Sequence, residues 1–86
     1  MDVSEYIALM DELRAVDFED APACRTALVN AYALMQFKLA DLAEKMGVSQ
    51  QTIKHWMDGA TTPAPAFMRS TFKHLMRVLE KEHGND

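Results

Sequence analysis

Glycine and proline are scarce in this chain, three of each among 86 residues. With so few breakers, long stretches are free to take regular structure, and the composition predicts disorder only in the last few residues. Cysteine is scarcer still. The lone Cys24 has no partner for an internal disulfide, so the fold must rest on its core, as suits a reducing compartment. No apolar run approaches the ~20 residues that span a bilayer. The opening MDVSEYIALMDELR is acidic, without the basic leader of a signal peptide. The expected location is the cytoplasm, with no membrane association. Catalytic groupings are missing as well: no serine, cysteine or carboxylate pair stands with a base in a recognisable arrangement. His55, His74 and His83 share no ligand spacing. The sequence therefore predicts neither an enzyme nor a metal or cofactor protein. It shows no internal repeat.

Hydrophobic residues make up 49% of the chain, enough for one small core. A single domain spanning 1–86 is expected. The net charge of −4 is an apparent objection to nucleic-acid binding, but the charges are segregated. Residues 1–20 carry Asp2, Glu5, Asp11, Glu12, Asp17, Glu19 and Asp20 against Arg14 alone. Residues 21–79 carry Arg25, Lys38, Lys45, Lys54, Arg69, Lys73 and Arg77 against only Asp41, Glu44 and Asp58. A ligand responds to the field within about 10 Å rather than to the chain total. The body of the domain is basic and its N-terminal segment acidic.

Apolar periodicity predicts five helices. The first, acidic and within 1–17, starts from Asp2 and Glu5 at capping-box spacing. Its expected stripe is Val3, Tyr6, Ile7, Met10, Leu13 and Val16, with Leu9 off to one side. Phe18 anchors the acidic connection that follows. Asp20 caps the second helix, which tolerates Pro22 in its first turn and runs to about Gln36. Cys24, Leu28, Ala31, Tyr32 and Met35 share one of its faces, where Cys24 reads as a small buried hydrophobe. The last helix is predicted over 63–83, with Thr62 as N-cap, Pro63 at its first position and Gly84 as its stop. Met68, Phe72, Leu75, Met76 and Leu79 form its inner stripe. Arg69, Lys73 and Arg77 recur every fourth residue beside it, a basic ridge that is either a solvated face or a phosphate contact.

The most informative stretch lies between, over 38–59 and its exit to Pro63: KLADLAEKMGVSQQTIKHWMDGATTP. Leu39, Leu42, Ala43 and Met46 line one face of a short helix. Gly47 stops it, because glycine enters the left-handed conformation without a Cβ penalty. Ser49 caps the next helix, in which Ile53, Trp56 and Met57 face inward. Ala43 is small where the two helices approach most closely. This is the pattern of a helix-turn-helix unit.

Leu42-Ala43, Gly47-Val48-Ser49, Ile53, Trp56, Gly59 and Pro63 stand at the spacing of the Xre/Cro family of helix-turn-helix regulators, which includes lambdoid phage repressors, and the stretch resembles that family. The likeness covers roughly the central third of the chain. Two positions depart from the family pattern: Leu39 where a glutamine is usual, and Met57 where a glutamate is. The first change removes a phosphate contact and the second a polar interaction, while the packing logic is kept. The resemblance implies a divergent, lambda-repressor-like all-α fold, here with an added acidic N-terminal helix and a long C-terminal one. It also implies a bacterial or phage transcriptional regulator.

Stepping 100° per residue from Ile53 puts Gln51 and His55 at roughly 160° and 200°, pointing away from the core. Lys54 and Asp58 lie to one side and Thr52 to the other. A glutamine amide donates and accepts at once, which matches the N6 and N7 edge of adenine in the major groove. By resemblance, Gln50, Gln51, Lys54 and His55 are the candidate base contacts. Lys38, Ser49, Thr52 and Thr61 are the candidate phosphate contacts. The expected partner is double-stranded DNA, bound by a homodimeric repressor on two half-sites. Val3, Ile7, Met10 and Leu13 are the candidate dimer surface. The alternative is a protein-binding module, an antitoxin or adaptor, whose acidic first helix engages a basic partner.

Overall fold

The computed structural model describes residues 1–83, so the predicted stop at Gly84 lies outside it. Five helices follow one another: α1 Val3–Ala15, α2 Ala21–Met35, α3 Leu39–Met46, α4 Gln50–Asp58 and α5 Pro65–His83. There is no strand among the described residues. The radius of gyration, 12.1 Å, is about the 12 Å expected of a single compact body of this length.

Local chemistry sets most of the helix ends. Asp2 accepts the Glu5 N–H while the Glu5 carboxylate accepts the Asp2 N–H, closing a capping box on α1. Asp20 accepts the Ala23 N–H at the start of α2, whose first turn holds Pro22. That helix ends on Gln36, a non-glycine residue in the left-handed region at φ 54°. Between α3 and α4 there are only three residues. Gly47 takes φ 71°, its N–H reaches the Glu44 carbonyl and the Val48 N–H reaches that of Ala43. This is the Schellman arrangement, which satisfies carbonyls that the helix end would leave open.

α5 begins two residues later than the sequence pattern predicts. Its first carbonyl acceptor is Ala64, bonded by the N–H groups of Phe67 and Met68, so Pro65 rather than Pro63 holds the first helical position. The reason is the second proline: a residue preceding proline is driven out of the helical region, and Ala64 precedes Pro65.

The core joins Leu9, Met10 and Leu13 of α1, Cys24, Ala27, Leu28 and Ala31 of α2, Leu42 and Ala43 of α3, Ile53 and Trp56 of α4, and Met68, Phe72, Leu75 and Leu79 of α5. α1 packs on α2 and α5, α2 packs on α4 and α5, and α3 packs on α4. Phe18 meets Phe72 edge-on at 5.6 Å between ring centres, anchoring the first connection as expected.

Two inner faces differ from the sequence pattern. In α1, Leu9 is buried while Val3 and Ile7 stand 72% and 53% exposed. Packing against two helices at once turns the Tyr6–Leu9–Met10–Leu13 side inward and leaves the Val3–Ile7 edge outside. In α2, Tyr32 is exposed and Ala27 is buried instead. The Tyr32 ring rests edge-on against Phe37 at 5.1 Å. The core also holds one polar side chain that the pattern does not flag, Thr71, fully buried. Its hydroxyl donates to the Phe67 carbonyl at 3.0 Å and lies 3.2 Å from the Met46 sulfur, so its burial leaves no unmet polar group.

Candidate nucleic-acid interface

α4 is held from its inner side and open on its outer one. Ile53 is fully buried and Trp56 nearly so, with the Trp56 indole edge-on to Phe67 at 5.4 Å. Trp56 is therefore a packing residue, not a stacking platform for a base. Leu42 and Ala43 of α3 are buried, and Val48 in the turn packs half-buried against the same core.

The N-terminus of α4 is closed by Ser49, whose hydroxyl accepts the Thr52 N–H at 3.1 Å and lies 2.9 Å from the Thr52 hydroxyl. Of the two hydroxyl protons, one is used in that mutual bond and the other stays available to an acceptor. Gln50, Gln51 and Lys54 are exposed, and His55 is half-buried. The Gln51 amide nitrogen and the His55 Nε2 lie 2.9 Å apart. With one amide hydrogen engaged there, Gln51 keeps its carbonyl oxygen and second hydrogen. Those two groups are what a bidentate contact to adenine uses.

Asp58, the acid nearest this face, is tied back. Its carboxylate accepts the Ala60 N–H at 2.9 Å, while the Gly59 and Thr61 N–H groups both reach the His55 carbonyl. Lys38 is exposed at the N-terminus of α3 and its side chain makes no capping bond. Thr61 is exposed just beyond α4. Gln50, Gln51, Lys54, Ser49 and Thr52 thus share one helix and its cap, whereas Lys38 and Thr61 lie on the connections at the far ends of the α3–α4 pair. Of the four candidate dimer residues, Met10 and Leu13 are consumed by the chain's own core, and only Val3 and Ile7 remain open.

Arg25 escapes a reading of the sequence. It lies in the second turn of α2, and its side chain covers Gly59 so closely that a Cβ there would meet the guanidinium. It forms no ion pair with any described residue. A cation beside the last turn of α4 complements the negative end of the helix dipole. Nothing in the local sequence signals this contact, because Arg25 lies in α2 and Gly59 just past the end of α4, far along the chain.

The basic ridge of α5 is exposed at Arg69, Lys73 and Arg77. Arg69 already stacks over the Phe18 ring at 5.3 Å. Behind the ridge, His74 and Lys45 line a shallow cleft with Asp41, Glu44 and Val78. Partial burial, then the Lys45 and Arg77 charges, hold the His74 imidazole below its ordinary range. Cys24 is buried, its thiol 3.5 Å from the Asp17 carbonyl. Burial and the Asp20 and Asp17 carboxylates push that thiol up, the opposite of what a reactive cysteine needs. Among the described residues no group of three or more histidines, cysteines or carboxylates is placed to hold a metal ion, and no helix is long and apolar enough to cross a membrane. Compared with protein-family models, with curated proteins and with solved structures, the chain matches none.

Proposed function

We propose that this chain binds double-stranded DNA sequence-specifically, as a small helix-turn-helix transcriptional regulator with α4 in the major groove. The observation that carries the reading is the division of α4 itself. Ile53 and Trp56 lock one side into the core, while Gln50, Gln51 and Lys54 stand exposed on the other with Gln51 braced by His55. A rigidly held helix presenting amides rather than a uniform row of charges suits base readout more than simple phosphate attraction. Capping of Asp58 by the Ala60 N–H turns the one nearby acid toward the backbone.

One short helix buries too little surface for tight binding, so the chain acts as a homodimer on two half-sites about 34 Å apart. A protomer of 36 × 25 × 19 Å is commensurate with that spacing. A domain this small regulates by occupying its site, which makes repression the simpler outcome.

Selection from a random duplex pool, followed by fluorescence anisotropy with excess competitor, tests the proposal. A single enriched, pseudo-palindromic site is expected. Gln51→Ala should weaken it by about 1–3 kcal/mol, on the order of tenfold or more. Lys38→Ala should instead weaken all duplexes alike and flatten the salt dependence. Enrichment of no site, or binding indifferent to Gln51, would sink the reading.

A further inference from the structure

Arg25 is the only charged residue in α2. It stands half-buried in the second turn of a helix that packs against α4. Its guanidinium lies over Gly59, in space that any side chain there would take. The end of α4 offers it no acceptor. The His55 carbonyl already accepts the Gly59 and Thr61 N–H groups. The acids nearest along the chain, Asp58 and Asp20, accept the N–H groups of Ala60 and Ala23. Among the described residues no carbonyl, carboxylate or aromatic ring partners the guanidinium. None of its nitrogens is sealed from solvent either. Complementing the α4 dipole needs only a nearby charge, and it leaves all five guanidinium N–H donors without an acceptor.

Chemistry and reach together select the ligand. A planar fork of donors matches the oxygens of a phosphate group. The Thr61 hydroxyl adds a neutral donor: it is exposed and two residues past Gly59, so within about 7 Å of it. α4 has nine residues and is therefore about 13 Å long, close to the ~12 Å width of the major groove. A helix that meets base edges with its N-terminal turn brings its other end, with Gly59, to the groove wall, which is a row of phosphates. We infer that Arg25, with the Thr61 hydroxyl, holds a backbone phosphate of the DNA at the exit from α4. The contact rests on the placement of α4 in the major groove and adds to it a residue from outside the helix-turn-helix. It carries no sequence information and instead fixes the position of α4 on the duplex.

Fluorescence anisotropy of the full chain over about 50–200 mM salt, on a selected duplex and on a scrambled one, tests the contact. Arg25→Gln keeps a polar stem over Gly59 and removes the charge. It should lower the slope of log Kd against log salt by about 0.9 per bound protomer. The wild-type chain should therefore lose about 3.5-fold more affinity per protomer than the variant over that range. Both duplexes should weaken alike, leaving their affinity ratio unchanged, and Arg25→Lys should restore the wild-type slope. In the isotope-labelled wild-type chain, the Arg25 Nε–H resonance should shift saturably with either duplex. A cation serving only the α4 dipole would lower the thermal midpoint of Arg25→Gln and leave the slope alone. That result, or an Nε–H resonance that does not move, overturns the contact while α4 still reads its site. Failure of the wild-type chain to bind any duplex removes this contact and the major-groove placement of α4 together.

Discussion

At the scale of single residues, three left-handed positions separate what a turn demands from what it tolerates. Gln36 carries a Cβ at φ 54°, where a side chain is strained by roughly 1–2 kcal/mol. Gln36→Gly should therefore raise stability by about 0.5–1 kcal/mol in urea denaturation, after the extra freedom glycine gains in the unfolded chain. Gly47 at φ 71° has open space around its missing Cβ, whereas Gly59 at φ 86° lies under Arg25. Gly47→Asn should be nearly neutral, because asparagine accepts this conformation. Gly59→Ala should cost about 1–2 kcal/mol, chiefly in backbone strain. An Arg25→Ala background should recover only the smaller part, since a guanidinium can swing aside. Chemical denaturation of the four variants checks that ordering.

At the scale of elements, α1 is where a periodic pattern is ambiguous and packing resolves it. Val3, Ile7 and Met10 make one acceptable stripe, and Tyr6, Leu9, Met10 and Leu13 make another. Contact with both α2 and α5 selects the second. Leu9→Ala should accordingly cost about 2–5 kcal/mol, a large share of what holds a domain this small together. Ile7→Ala should cost less than about 1 kcal/mol, within the range of surface changes. Equal losses in the two variants would mean that α1 is rotated from the orientation described. α3 and α4 were far more legible. Gly47, Ser49 and the short apolar repeats act over a few residues, so the ends and inner faces of both helices follow from local chemistry.

At the scale of the whole molecule, the helices bring together charges that lie far apart in the chain. His74 on α5 faces Lys45 of α3, has Arg77 on its own helix, and shares its clefts with Asp41, Glu44 and Glu82. Partial burial and the two cations hold its pKa below the ordinary value near 6.5. The unfolded chain therefore takes up this proton first as pH falls. Stability contributed near neutral pH is unaffected, then declines as pH drops through the histidine range toward the lowered folded value. A thermal midpoint that falls between about pH 7.5 and 5.5 is expected, and His74→Gln should flatten that decline.

The sequence by itself determined the all-helical class, the caps at Asp2, Asp20 and Ser49, the tight turn at Gly47 and the outer face of α4. Each of these depends on residues within one or two helical turns, where spacing and backbone chemistry suffice. The Gln51–His55 bond belongs here too, since residues four apart on a helix are neighbours. Only the tertiary structure decided the rotation of α1, the burial of Thr71 beside Met46 and the placement of Arg25 over Gly59. The Thr71 and Arg25 contacts join segments far apart in the chain. The late start of α5 is local by contrast, since Pro65 keeps Ala64 out of the helical region. The facing of α1 turns on which of two similar apolar edges its neighbours cover, and there the burial of the shared core chooses between solutions that lie close in energy.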